Sequence, residues 1–367
     1  MPNGQDVSDI IDSEELDKES FQGKKKQPGA TLRVHLPERE VVAHPEQYQK
    51  DVAKLIRNEW TEEMIKRQED LFRKRSAHVE EVCNSLTLNG ALAAKMGSVF
   101  ENMRWISKHN MIWCPIFKAA STTWVKNLLM IAGESKIHAR SLHARARQLF
   151  GPPNDPRVRD KLLRESQRMM IVRHPLERLL SAYRDKMLRV RHAHDPFVRI
   201  QKAIMLKYPD PDAPPPPAVT AIPDPKNMTD KLPTTHPTFK QFLMKARDDL
   251  RTVWNNKGKT IVNMHWRPFW LTCAPCHVIY DYIGKVETLD WDQEYIIRKM
   301  GLQDLLYNAH THSSNFDSYN TTSEAARDYF KQVPLSLLKD VVELYKPDFL
   351  LFDYSPDSYY KLAKPDA

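Results

Sequence analysis

The stretch Met111-Ile-Trp-Cys-Pro-Ile-Phe-Lys-Ala-Ala-Ser-Thr-Thr-Trp124 decides how this chain folds. An apolar run from Met111 to Phe117 gives way to small and hydroxylated residues, then to an apolar segment from Trp124 to Ile131. That order predicts a buried strand, a polar turn and a helix. The unit recurs in Met169-Met-Ile-Val172, Arg173-His-Pro175 and the segment Leu176 to Met187. Pro175 suits the first turn of a helix, where its missing N–H is not needed. Two such units in succession predict an α/β fold with a central, mostly parallel sheet flanked by helices.

Outward from this centre, helical patterns cover Phe239 to Val253, Asp292 to Met300 and Leu335 to Tyr345, and Val278 to Tyr282 reads as a short strand. Ten prolines fall between Pro209 and Pro237, four of them consecutive from Pro214 to Pro217, so 209–237 is a long loop. Candidate site residues lie on both sides of it, so it interrupts one compact domain, 105–360. Residues 1–45 have mixed charge and little periodicity and read as a flexible leader. The region 46–104 opens with Val52, Leu55, Ile56, Trp60, Met64, Ile65, Leu71 and Phe72 at helical spacing. This amphipathic stripe is expected to pack on the body of the protein.

Lysine and arginine number 55 against 47 acidic residues, a net charge of +8 that suits an anionic partner without choosing which. No run approaches the roughly 18 apolar residues of a membrane helix. The opening MPNGQDVSDI is acidic and polar, unlike a secretory signal, so the chain as written reads as soluble and untargeted. Cys273-Ala-Pro-Cys276 has the spacing of a local disulfide, a redox pair or half a zinc site; nothing else completes a zinc motif, and no metal is expected. No zinc finger, RNA-binding motif or long basic tract argues for a nucleic-acid partner. Asn227 and Asn320 open sequons that matter only in a secretory lumen.

In the first turn, small residues allow backbone N–H groups to converge at a helix N-terminus, with Lys118 as a mobile charge. The loop is not GxxxxGK[ST]: both glycines are missing and the lysine comes first. In the second turn, Arg173 sits where open α/β sheets bind ligands, and Ser181 follows about two helical turns later. Glu177 and Arg178 read as a solvated pair.

These two motifs together, Pro-Ile-Phe-Lys-Ala-Ala-Ser-Thr-Thr-Trp124 and Ile-Val-Arg-His-Pro-Leu-Glu-Arg-Leu-Leu-Ser-Ala-Tyr-Arg184, resemble the donor site of the carbohydrate sulfotransferases. The resemblance is to the branch holding the chondroitin and dermatan 4-O-sulfotransferases, the N-acetylgalactosamine 4-O-sulfotransferases and the HNK-1 sulfotransferase. It continues through Asn263-Met-His-Trp-Arg-Pro268, Tyr280 to Leu289 and Tyr345 to Tyr354.

The resemblance implies a P-loop-like fold that binds 3′-phosphoadenosine 5′-phosphosulfate (PAPS) and releases adenosine 3′,5′-bisphosphate (PAP) without a metal. Phe117, Lys118, Ala119, Ala120, Ser121, Thr122 and Thr123 would hold the phosphosulfate; Arg173 and Ser181 would hold the 3′-phosphate. Lys118 would stabilise the leaving oxygen, and His143, His138 or His265 would be the base. Arg140, Arg145, Arg147 and the segment Arg189 to Arg199 would meet an anionic glycan of chondroitin or dermatan type at the 4-hydroxyl of N-acetylgalactosamine. Trp266 and Trp113 would stack on sugars or else lie in the core. Cys273 and Cys276 would form a local disulfide. Family members are typically type II Golgi membrane proteins, which implies a Golgi lumenal, membrane-anchored glycoprotein.

Overall fold

Along β2 (Met111–Cys114) and β3 (Gln167–Val172) apolar side chains follow one another almost without interruption, and both faces of each strand are covered. Ile112, Cys114, Met170 and Val172 enter one core, while Met111, Trp113, Met169 and Ile171 enter the other. Alternate residues point to opposite faces, so such runs are what a sheet buried on both sides requires.

The computed structural model describes residues 60–85, 96–134, 142–188, 195–211, 236–256, 260–303, 305–306 and 322–366. Within these, four strands stand in the order β1 (Arg104–Ile106), β2, β3 and β4 (Tyr282–Lys285). The pairings β2–β3 and β3–β4 are parallel and β1–β2 is antiparallel. The mostly parallel sheet of the sequence reading is therefore present as a small mixed sheet. Helices Ser121–Ile131, Leu142–Leu149 and Pro156–Glu165 lie between β2 and β3; Pro175–Lys186, Pro196–Lys207, Phe239–Asn255 and Phe269–Cys273 lie between β3 and β4. The carboxyl ends of β2, β3 and β4 are in register, Cys114 opposite Met170 and Val172 opposite Lys285. Both chemically suggestive turns leave the sheet on this edge.

Helix Glu62–Ser85 covers the outer edge of β4. Arg75 donates to the Ile283 carbonyl (3.1 Å) and to the Asp292 carboxylate (2.6 Å), and Ser76 donates to the Tyr280 carbonyl (2.8 Å). The bond to Ile283 occupies a carbonyl of a strand edge that would otherwise invite pairing with another chain. Phe72 of the amphipathic stripe and Val79 farther along the same helix enter the two cores, Met64 is buried and Trp60 packs against the second core, whereas Ile65 is exposed. The leader and residues 46–59 lie outside the described residues, as do 212–235 of the proline-rich loop. The described ends of that loop are tied together: Thr238 and Lys240 both donate to the Asp210 carboxylate, at 3.0 and 3.1 Å.

Two expectations are corrected here. The strand placed at Val278–Tyr282 starts at Tyr282 instead. Val278 and Tyr280 are buried, but in a turn: the Val278 N–H bonds the Ala274 carbonyl, and the Tyr280 hydroxyl bonds the Cys273 carbonyl. The Cys273–Cys276 disulfide does not form. Cys273 pairs with Cys114 at the end of β2, and Cys276 pairs with Cys83 on helix Glu62–Ser85. Cys273 closes a helix and Ala274 turns left-handed (φ 45°) directly after it, so the two thiols leave the turn toward different neighbours. All four cysteines are bonded, which removes the redox-pair and zinc readings.

Candidate active site

Beyond Cys114 the chain turns sharply. Lys118 and Ala120 both take left-handed backbone conformations (φ 69° and 57°), at a cost of about 1–2 kcal/mol each for residues bearing a Cβ. Left-handed residues interspersed in a tight turn gather N–H groups into an anion-binding concavity. Ala120 then opens helix Ser121–Ile131 without any side-chain cap. Ser121 and Thr123 are buried under the loop and Thr122 faces solvent.

Arg178 supports this loop from beneath, contrary to its reading as a solvated residue. At 1% exposure it donates to the carbonyls of Phe117 (2.9 Å), Met264 (3.0 Å) and Arg267 (2.8 Å). It therefore fastens the loop to the Asn263–Arg267 turn. Its partner in that reading, Glu177, is also largely enclosed and binds Arg173 (3.2 Å).

Arg173 leaves the end of β3 toward the same loop. Its Nη1 stands 3.5 Å from the Lys118 carbonyl, and its Nε is buried without a hydrogen-bond partner. An anion held there would satisfy that donor, so the residues present fit a phosphate. Along helix Pro175–Lys186 the positions Glu177, Ser181 and Asp185 recur every fourth residue and share one face. Asp185 ends that stripe against the Lys118 ammonium at 2.9 Å. Burial weakens the proton affinity of Lys118, and the Asp185 carboxylate works against this. For Asp185 burial opposes ionisation, but Lys118 and Lys186 overcome it and hold the carboxyl well below the usual range.

Two of the three candidate bases meet at Phe117. The rings of His143 and His265 each lie 4.8 Å from that of Phe117, on separate segments far apart in sequence. His265 is the better defined. Its backbone N–H donates to Asn263 Oδ1 (3.0 Å), so that atom is an acceptor, and the imidazole Nδ1 lies 2.8 Å from the same oxygen. Nδ1 must therefore carry a proton, which leaves Nε2 as the basic nitrogen. Burial, then Lys186 and Lys118, hold the His265 pKa well below the ordinary value. His143 is lowered to about 4 by burial and by Arg104, Lys186 and Arg147. His138 and Arg140 lie outside the described residues, as do Asn227, Asn320 and Arg189.

Other acceptor assignments fare differently. Trp266 is buried at 1% exposure, its Nε1 donates to Asp249 and its ring packs on Phe242, so it belongs to the core and cannot stack on a sugar. Trp113 is likewise fully buried. Arg145 pairs with Glu134 (2.5 Å), while Arg147 and Arg199 face solvent. The implied membrane anchor finds no support: among the described residues no helix is long and apolar enough to cross a membrane, and that expectation is withdrawn.

Sequence reasoning missed Asp185, Asn263 and Glu287, the last of which accepts from the His174 backbone N–H (2.7 Å). The signal for Asp185 was available, since 173, 177, 181 and 185 are spaced four apart.

At the carboxyl edge of the α/β sheet two strand–helix turns stand side by side, one carrying Lys118 and the other Arg173, an arrangement suited to binding anions. The profile of the sulfotransferase family matches residues 102–355, and the chain belongs to that family. It is accordingly a PAPS-dependent sulfotransferase. Among similar proteins, rat carbohydrate sulfotransferase 11 is 27% identical over 69% of this chain and 67% of its own length. Human carbohydrate sulfotransferase 9 is 24% identical over 81% and 62%, and carbohydrate sulfotransferase 12 of Xenopus laevis 25% over 68% and 59%. No solved structure matches.

Proposed function

We propose that this sulfotransferase acts on a hydroxyl of an anionic glycan, with the 4-hydroxyl of N-acetylgalactosamine in a chondroitin- or dermatan-type chain as its target. The carbohydrate class is supported by the names of its relatives, and the finer choice by the motif resemblance together with the exposed cations Arg147 and Arg199. Arginine recognises carboxylates and sulfates through paired hydrogen bonds.

The observation that carries the reading is the convergence of Lys118, Arg173 and His265 on one loop. The 5′-phosphosulfate sits on the loop from Phe117 to Thr123, and the 3′-phosphate meets Arg173 and Ser181. The acceptor oxygen attacks sulfur in line while the bond from sulfur to the phosphate oxygen breaks. Neutral His265 takes the hydroxyl proton at Nε2. Lys118 moves from Asp185 to the departing oxygen, placing positive charge where negative charge grows. Asp185 keeps the ammonium charged while it waits. His143, whose ring also packs on Phe117, lines the same site.

Both disulfides support an oxidising compartment such as the Golgi lumen. The test is transfer of radiolabelled sulfate from PAPS to chondroitin, desulfated dermatan, heparan and N-acetylgalactosamine-terminated glycans. Label on the 4-hydroxyl of N-acetylgalactosamine is expected. Label only on heparan, or on none of these glycans, contradicts the assignment.

A further inference from the structure

The C-terminal turn reaches back to the ends of β3 and β4 through three hydrogen bonds. The Tyr354 hydroxyl donates to Glu287 Oε2 (2.9 Å), His174 Nε2 donates to the Ser355 carbonyl (3.0 Å), and the Tyr359 hydroxyl donates to Glu177 Oε1 (3.1 Å). Ser323, on helix Thr322–Phe330, donates to the same Oε1 at 2.5 Å. The opposite oxygen of that carboxylate, Oε2, accepts from Arg173 Nη2 at 3.2 Å. Glu177 is thus held from behind by two hydroxyls and holds Arg173 in front. Both side chains of the ion pair are only 13% exposed.

The consequence lies in which part of the guanidinium is used. Its donors form a rigid fork, so engaging one edge fixes where the rest points. Glu177 takes Nη2, and the buried Nε is left without a partner beside a loop that already faces Nη1. A freely rotating arginine would lose that orientation.

We infer that Glu177, clamped by Tyr359 and Ser323, is a positioning residue that aims Arg173 at the 3′-phosphate, so that the C-terminal turn takes part in telling a 3′-phosphorylated nucleotide from one lacking that group. The inference rests on the donor-site reading above.

Its test is calorimetry with two probes, PAP and adenosine 5′-monophosphate, which differ only in the 3′-phosphate. The wild-type chain should prefer PAP. Tyr359→Phe keeps the ring that packs on His174 and Phe330 and removes only the hydroxyl; Glu177→Gln keeps the shape and removes the charge. Both variants should lose affinity for PAP, Glu177→Gln by about tenfold, the scale of one charge-assisted hydrogen bond, while binding the monophosphate as before. Equal loss for both probes would make the network a general structural support and overturn the inference, as would an unchanged preference in both variants. A wild-type chain with no preference for PAP would instead overturn the donor-site reading itself, and the inference with it.

Discussion

The Arg173 guanidinium stands 3.5 Å from the backbone carbonyl of Lys118, although the two residues lie on different strand–helix turns. Parallel pairing of β2 with β3 brings the two turns side by side, and Arg178 fixes their separation by bonding the Phe117 carbonyl. In the proposed reading, a nucleotide with an anionic group at each end is held by one edge of the sheet. Each chemical role assigned above depends on that adjacency.

Lys118 and Asp185 should be separable by kinetics. Lys118→Ala is expected to lower kcat by about 10²–10³, the usual loss when a donor to a developing oxyanion is removed. Asp185→Asn should have a milder effect at neutral pH. Without the carboxylate, burial and the neighbouring cations Lys186 and Arg173 lower the Lys118 pKa further, so the alkaline limb of the rate profile should move to lower pH. An unmoved alkaline limb would show that Lys118 does not act as the charged group.

His265 should govern the acid limb. A base works when unprotonated, and this imidazole titrates well below the free histidine value of about 6.5. The kcat/KM profile should accordingly stay flat through the range in which a free histidine titrates and fall only on the acid side of it. His265→Ala should cost about 10²–10⁴ in kcat, the range for a lost general base, and His143→Ala distinctly less. A larger loss for His143→Ala would exchange the two roles.

How much of this was visible beforehand depended on distance along the chain. The two strand–turn–helix units were legible because each is local, an apolar run handing over to a turn, and Lys118 and Arg173 fall on those turns. Asn263 and Glu287 were not, since their roles come from partners brought in by the fold. Arg178 looked like a surface residue in Glu-Arg-Leu-Leu, yet three carbonyls from two separate loops converge on it. The cysteines failed in the same way. CxxC spacing suggests a local bond, but the actual partners are 159 and 193 residues away.

Those disulfides give a direct check on the fold. Peptide mapping without reduction should recover the linkages Cys83–Cys276 and Cys114–Cys273. Replacing Cys114 and Cys273 together should lower stability by about 2–5 kcal/mol in denaturant titrations, because a long-range covalent tie is lost. A peptide carrying a Cys273–Cys276 bond would contradict the structure.

Trp266 lies in the core. Trp266→Ala should destabilise the fold by about 3–5 kcal/mol, the usual consequence of emptying a buried tryptophan site. It should show as a lower Tm. A variant that melts normally but has a raised KM for the glycan would restore the sugar-stacking role.

The most direct measurement of the shared grip is the calorimetric affinity of PAP for the wild-type chain, Lys118→Ala and Arg173→Ala. One nucleotide per chain is predicted, with each substitution alone weakening binding by about tenfold or more, the worth of a charge-assisted contact. Undiminished affinity in either variant, with the fold intact, would mean that the two turns do not hold one nucleotide between them.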